Sequence, residues 1–352
     1  MPTRPLTVLQ FLLYPLAGIY LPLVRLRNFL FDRGWLPIPA INVPVIAVGN
    51  INLGGTGKTP FVIALSNAFG KRGFRVGVLS RGYRRKSRGL VVVSDGRNVF
   101  PNARATGDEP LLIARNAPGV VVIADRDRVR AAQAAVVRYG CNLLIADDAF
   151  QYRRLSRTLN IVLWDAENNP ERAHILPVGR LREPLTGMKR ADFLIFTRSD
   201  VMPVEQRLFF ERYHPGLRFF NVPLVMDSVI ETATGLDVAG AIAGQPMLAF
   251  CGLGNPRQFF RLLEQLAPAK LHTIVFPDHH RYDHRDIDRI KSAARRGGAA
   301  YIATTAKDAI NLPRHLAPSN LIVVNIRMAL PPPLESAIGA IIQAESDSPA
   351  AG

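Results

Sequence analysis

Val43 to Phe61 reads VPVIAVGNINLGGTGKTPF: an apolar run, a glycine-rich turn, then Gly57-Lys58-Thr59-Pro60 opening a helical stretch. That order suits phosphate binding, because a buried strand delivers the turn and the following helix offers unpaired backbone N–H groups and its positive dipole end to an anion. The candidate loop is Asn52, Leu53, Gly54, Gly55, Thr56, Gly57, Lys58, Thr59 and Pro60. Gly54, Gly55 and Gly57 let the backbone approach the anion, Lys58 reaches the β- and γ-phosphates of a nucleotide, and Thr59 offers its hydroxyl to Mg²⁺. Pro60 fits the first helical turn, where its missing N–H is not needed. The first glycine of the usual pattern falls at Asn52, a residue type that tolerates a left-handed backbone, so the loop is expected to close.

LLIADDAFQ, Leu143 to Gln151, sets two carboxylates after four apolar residues. At a strand end beside a phosphate loop, one Asp can hold Mg²⁺ directly or through water. Asp147 is the first candidate and Asp148 the second; capping of a following helix is the alternative for both. TGDEP, Thr106 to Pro110, puts Asp108 and Glu109 ahead of a helix that Pro110 would start, which by spacing alone reads as N-capping. FPDHHRYD, Phe276 to Asp283, carries Asp278, His279 and His280. Adjacent histidines lack the spacing of a helical zinc pair, whereas a histidine beside a carboxylate can activate a hydroxyl.

The elements that must position these groups alternate short apolar runs with helical stretches: Val43 to Val48, Arg75 to Leu79, Val120 to Ala124, Leu143 to Ala146, Ile161 to Trp164 and Phe193 to Phe196. The pattern predicts an α/β fold, a P-loop NTPase-like, doubly wound, mostly parallel sheet with ligands at the carboxyl ends of its strands. Ser80, Arg81, Asp125 to Arg128, Asp165 and Thr197 to Asp200 also stand at such ends. After a looser crossing segment, a second series runs through Met247 to Cys251, Leu271 to Phe276, Ala300 to Thr304 and Leu321 to Val324. The expected organisation is an apolar helix over 1–35, the P-loop domain over 36–235, a smaller α/β domain over 236–343 that closes a cleft, and a frayed tail over 344–352.

The 352 residues are 48% hydrophobic and 20% charged, the composition of a folded protein and not a disordered one. Cys141 and Cys251 each lie in an apolar segment, which argues for a reducing compartment without a disulfide framework. A formal charge of +16 calls for an anionic partner, be it nucleic acid, acidic membrane or phosphorylated substrate. Val8 to Val24 is a run of about 17 nearly uncharged residues, at the short end of what spans a bilayer. Arg25, Arg27 and Arg33 follow it, with no small-residue cleavage site. An interfacial helix, a true span and a buried core helix all fit; the basic flank favours the interfacial one.

GNINLGGTGKTP, LSRGY, TGDEP, DDAFQ, LREPL (Leu181 to Leu185), FCGLGNPRQFF, FPDHHRYD and TTAKD (Thr304 to Asp308) occur in an order that resembles the tetraacyldisaccharide 4'-kinases, the lipid A 4'-kinase family. The resemblance runs over nearly the whole chain. It implies transfer of the γ-phosphate of ATP, with Mg²⁺, to the 4'-hydroxyl of tetraacyldisaccharide 1-phosphate. It also implies a place on the cytoplasmic face of the inner membrane of a Gram-negative bacterium, peripheral or anchored by one helix against the phospholipid surface; a monomer is expected, though the resemblance does not bear on that. On the same footing Lys58 and Thr59 are the phosphate and Mg²⁺ ligands, Asp108 the general base and His279 its assistant. Glu109, Asp147 and Asp148 are the metal-site carboxylates, Arg128 and Arg182 stabilise phosphate charge, and Gln151 and Tyr83 line the site. Ala149, Arg180 and Ala306 depart from the family pattern, which has Gly, Pro and Glu there; Ala149 puts the backbone of its turn in question, since Ala resists positive φ.

Two other classes compete. A membrane-associated P-loop switch ATPase would carry a signature lysine in its KGGxGKT loop, and that position is Leu53. A basic nucleic-acid NTPase fits the charge but lacks an evident aromatic stacking set, so no nucleic-acid partner is expected.

Overall fold

The computed structural model describes residues 8–83, 85–100, 106–199, 201–254, 256–277 and 280–347. The chain forms two compact units, one of Met1–Pro223 with Ala329–Gly352 and the other of Leu224–Met328.

The first unit is built on an eight-stranded sheet in the order β3-β4-β2-β5-β1-β6-β7-β8. The strands are β1 (Val45–Gly49), β2 (Val76–Ser80), β3 (Val91–Asp95), β4 (Val121–Ala124), β5 (Leu143–Ala146), β6 (Leu159–Asp165), β7 (Phe193–Thr197) and β8 (Arg218–Val222). All neighbours run parallel except β3, which is antiparallel to β4. β1 lies between β5 and β6, and every residue in it is buried. Its VIAVG sequence is accordingly apolar throughout and not alternating, as a parallel strand covered on both faces requires.

Helix α1 (Val8–Asp32) precedes β1, and α2 (Lys58–Lys71), α3 (Asp108–Asn116), α4 (Arg128–Tyr139) and α5 (Val204–Glu211) follow within the unit. Phe61, Leu65 and Phe69 recur every four residues along α2 and are fully buried, so one helical face supplies its attachment to the sheet. The Asp127 side chain accepts from the Val129 and Arg130 amides at the start of α4, and Gly140, left-handed at φ 63°, ends it.

The second unit carries a five-stranded sheet, β11-β10-β12-β13-β9, formed by β9 (Leu224–Glu231), β10 (Pro246–Cys251), β11 (Lys270–Val275), β12 (Tyr301–Thr305) and β13 (Leu321–Met328). Its helices are α6 (Pro256–Glu264), α7 (His284–Arg296) and the short α8 (Ala306–Ile310). Asp308 of TTAKD is a structural hub here: it accepts from the Gly252 amide and the Tyr282 hydroxyl, each at 3.0 Å, and from the Thr305 hydroxyl at 2.6 Å. Cys141 and Cys251 are buried free thiols.

Several boundaries differ from the sequence expectation. The crossing segment after Leu224 begins as β9, antiparallel to β13, so the second unit starts before residue 236. The chain then returns to the first unit, where α9 (Pro332–Asp347) is tied to α2 by an Arg72–Glu335 ion pair of 3.1 Å. Residues 344–347 are helical and not a frayed tail, and 348–352 lie outside the described residues. Strands β3 and β8 were not expected.

The sheet's tightest point is where β1 meets the turn after β5. A Cβ built on Gly49 would sit 2.6 Å from Phe150 Cβ and 2.7 Å from the Phe150 amide nitrogen. Because backbone is among the obstructing atoms, Gly49→Ala should destabilise the protein by about 1–3 kcal/mol, read as a lower denaturant midpoint with an unchanged m-value.

Candidate active site

The phosphate loop hangs from β1 and is held from three sides. Asn50, fully buried, donates its side-chain amide to the Thr56 hydroxyl at 3.2 Å and the Gly54 carbonyl at 3.4 Å. The Thr197 hydroxyl, at the end of β7, donates to the Thr56 carbonyl at 3.0 Å. On the third side the LREPL segment runs beside the loop: the Leu53 amide donates to the Arg180 carbonyl at 2.6 Å and the Arg182 amide to the Ile51 carbonyl at 2.8 Å. Asn52 forms a β-bridge with Leu181 in this arrangement. The loop therefore closes differently from the expectation: the left-handed positions are Gly54 (φ 127°) and Gly57 (φ 83°), and Asn52 stays extended. Arg180, where the family pattern has Pro, keeps its carbonyl in use. α2 begins at Lys58, with Thr59 and Pro60 in its first turn.

Lys58 and the turn after β5 face each other. Lys58 Nζ lies 3.6 Å from Asp148 Oδ1, and Arg182 Nη1 contacts both Asp148 oxygens at 2.9 and 3.0 Å. Burial raises the Asp148 pKa, but the Lys58 and Arg182 charges outweigh it and hold the carboxyl below the ordinary range. Asp147 points elsewhere and fares oppositely. It is buried, accepts from the Ser80 hydroxyl at 3.4 Å, and is pushed up to about 7 by burial and then by the charges of Glu109 and Asp148. No helix follows this turn, since the next element is β6, so the capping alternative for the two acids does not apply. The positive φ of the turn falls on Asp148 (47°) and not on Ala149, which answers the question that Ala149 raised.

Asp108 and Glu109 occupy the first turn of α3, and the cap position is Gly107 at φ 90° without a side-chain cap bond. The N-capping reading is thus replaced: both carboxylates are exposed residues of the helix itself. The Gly107 cap that precedes them abuts the loop after β2, since a Cβ on Gly107 would lie 3.0 Å from the Tyr83 carbonyl. Tyr83 is 62% exposed beside it.

Arg128 is 3% exposed; its guanidinium donates to the Asp147 carbonyl at 3.2 Å and the Asp125 carbonyl at 3.5 Å. It braces the turn that carries Asp147. Arg182 instead reaches the cluster of charged side chains directly. Gln151 donates to the Asn50 carbonyl at 2.9 Å and to Glu183 at 3.0 Å. His279, like Asp278, lies outside the described residues; His280 pairs with Asp286 at 2.7 Å within the second unit.

Sequence reasoning missed Asn50 and Glu183. Asn50 had a signal, a polar residue directly after a buried strand and inside the loop. Glu183 had a weaker one, a lone carboxylate in the otherwise apolar ends of LREPL, and its fully buried position shows only in three dimensions.

The donor set fits a Mg²⁺ ion. Asp147, raised by burial first and then by the Glu109 and Asp148 charges, is a carboxyl whose surroundings suit a divalent cation. Among the described residues no group of three or more His, Cys, Asp or Glu side chains forms a cage. Mg²⁺ does not need one, as it commonly takes one or two carboxylates and completes its shell with phosphate oxygens and water.

Residues 9–343 match the family model described as Tetraacyldisaccharide-1-P 4'-kinase. Among curated relatives, the Tetraacyldisaccharide 4'-kinase of Syntrophus aciditrophicus (strain SB) is 38% identical over 303 residues, 82% of this chain and 80% of the relative. The same-named protein of Anaeromyxobacter sp. (strain Fw109-5) is 38% identical over 317 residues, 88% of this chain and 84% of its own. Among solved structures, LpxK from Aquifex aeolicus in complex with ATP is similar at a TM-score of 0.75 and 32% identity, covering 95% of this chain and all of that one.

The raised Asp147 carboxyl has a consequence for stability. Its folded pKa, about 7, lies above the unfolded value of 3.8, so the folded state holds the extra proton between them. In chelator-treated protein this contribution is present below the unfolded value and is lost as pH rises through about 7. Asp147→Asn should flatten that fall and be more stable than the parent at pH 8, measured by denaturant midpoints across pH.

Proposed function

The chain belongs to the tetraacyldisaccharide-1-P 4'-kinase family, and from that premise we propose how its residues carry out the reaction. The protein is a phosphotransferase that moves the γ-phosphate of ATP to the 4'-hydroxyl of tetraacyldisaccharide 1-phosphate in lipid A biosynthesis. The switch ATPase is not favoured, because the match to kinases spans nearly the whole chain.

The observation that carries the residue assignments is the convergence of Lys58 and Arg182 on Asp148 at the phosphate loop. The amides of Gly54 to Thr59 cradle the phosphates, the Leu53 amide being taken up by the Arg180 carbonyl, and Lys58 and Arg182 neutralise the transferring group. Thr59 and Asp147 are the residues that would hold Mg²⁺, since Asp148 already faces two cations, with the Glu109 charge close enough to act on Asp147. When bound, the ion screens the phosphate oxygens and draws off developing charge. Asp108 accepts the proton of the sugar hydroxyl as its oxygen forms a bond to phosphorus; the bond from phosphorus to the bridging oxygen breaks and ADP leaves. Arg128 acts by holding the Asp147 turn. Tyr83 and Gln151 border the site.

A position at a membrane is supported by α1. Ala17 and Val24 are buried, whereas Leu16, Ile19, Leu23 and Leu26 are 54–62% exposed and recur at helical spacing. Trp35 and Ile38 extend the apolar surface, and Arg25 and Arg33 stand near it. Among the described residues no helix is long and apolar enough to cross a membrane. The reading this supports is a peripheral helix on the anionic phospholipid of the cytoplasmic face of the inner membrane, where the lipid substrate sits.

Purified protein given ATP, Mg²⁺ and the lipid acceptor in mixed micelles should pass labelled γ-phosphate to the lipid. Asp108→Ala should lower kcat about 10²- to 10⁴-fold with little change in KM. ATP hydrolysis without lipid labelling contradicts the kinase assignment, and a raised KM with intact kcat makes Asp108 a binding residue. Replacing Ile19 and Leu23 together with Glu should abolish co-sedimentation with anionic vesicles while leaving the thermal midpoint unchanged; undiminished sedimentation would remove α1 from membrane binding.

A further inference from the structure

The face of α1 turned away from its exposed apolar stripe reaches the segment that supplies Arg182. The Tyr20 hydroxyl donates to the Arg182 carbonyl at 2.6 Å, and Asn28 Nδ2 donates to Glu183 Oε2 at 3.1 Å. Glu183 is fully buried and also accepts from Arg190 at 2.6 Å and from Gln151 at 3.0 Å. A buried carboxylate is tolerable only when paired, so these donors fix its place firmly. Gln151 continues the connection: its amide nitrogen donates to the Asn50 carbonyl at 2.9 Å, and its oxygen accepts from Arg182 Nη1 at 3.4 Å. Tyr20 and Asn28 are separated from the Lys58–Asp148–Arg182 cluster by one residue's backbone in one case and by Glu183 and Gln151 in the other.

A greasy anchor needs none of this. Anchoring requires an apolar outer face and some inner packing, which Ala17 and Val24 supply. Polar side chains aimed at the backbone and flank of the charge-bearing arginine serve geometry instead, because a guanidinium must be held to within a fraction of an ångström to favour a transition state.

We propose that α1 is a positioning element of the phosphotransfer site, in which Tyr20 and Asn28 hold the Arg182–Glu183 segment so that Arg182 is aimed at the transferring phosphate. The proposal rests on the phosphate role given to Arg182 above. Tyr20 and Asn28 act through that residue and touch neither substrate. The helix that meets the lipid surface thereby also sets the geometry of the chemistry.

The test is a double-mutant cycle in mixed micelles at saturating ATP and Mg²⁺, with lipid varied, on the parent protein, Tyr20→Phe, Arg182→Ala and the double variant. Tyr20→Phe keeps the ring and loses only the hydroxyl. It should lower kcat about fivefold, the size of one neutral hydrogen bond, with the lipid KM unchanged. In the Arg182→Ala background the same change should cost nothing further. Asn28→Ala should repeat the pattern through Glu183. An unchanged kcat in both Tyr20→Phe and Asn28→Ala overturns the proposal, as does an equal loss with and without Arg182, which would mean a general effect on the fold. A change in lipid KM alone overturns it in favour of a plain anchor. Parental kcat in Arg182→Ala is a different failure: it removes the phosphate role of Arg182 and the proposal with it.

Discussion

One carboxylate shared by two cations organises the first unit. Asp148 sits between Lys58 at the head of α2 and Arg182 of the LREPL segment, and its own backbone is left-handed at φ 47° to put it there. A non-glycine residue in that region costs energy, and the surroundings must overdetermine it. They do: the Ala149 amide is bonded to the Val48 carbonyl, and Phe150 fills the space over Gly49 that any side chain there would claim. The close approach of β1 to the turn after β5 and the gathering of phosphate-binding charge are therefore one feature.

The two aspartates of that turn are chemically distinct because their neighbours differ. Asp148 is stabilised as an anion by its two cations, whereas Asp147 is buried and crowded by Glu109 and Asp148. Two adjacent carboxyls in unlike surroundings are thus set apart: one is an anion ordered by two cationic groups, and the other is a buried carboxyl raised above the ordinary range. Around them lies a shell of neutral hydrogen bonds, from Asn50, Thr197 and Gln151, whose only evident business is the shape of the loop.

Much of this was legible in the sequence where the signal is local. VIAVG followed by the glycine turn, and LLIA followed by two acids, announce buried parallel strands with polar groups at their ends, and the structure has both. Eight ordered motifs carried the family resemblance, which the family match over residues 9–343 bears out. What was not legible depends on long-range partners. β9 looks like loosened pattern because its burial alternates irregularly and its pairing is with β13, about ninety residues on. β3 and β8 are the two edges of the sheet and only partly buried, so polar residues interrupt their apolar runs, Ser94 and Asp95 in the one and Arg218 and Asn221 in the other. Asn52 and Ala149 seemed to need special backbone that fell instead on Gly54, Gly57 and Asp148. Glu183 could not be recognised as a buried junction, since its partners stand at Asn28, Gln151 and Arg190.

The central claim is that phosphate passes in one step from ATP to the lipid hydroxyl, with the protein supplying position and charge but no covalent carrier. Its most direct test uses ATP made chiral at the γ-phosphorus with oxygen isotopes, followed by configurational analysis of the phosphorylated lipid. Inversion at phosphorus is the outcome expected of a single in-line displacement among Lys58, Arg182 and Asp108. Retention would require two displacements through a phosphorylated residue and would contradict the account.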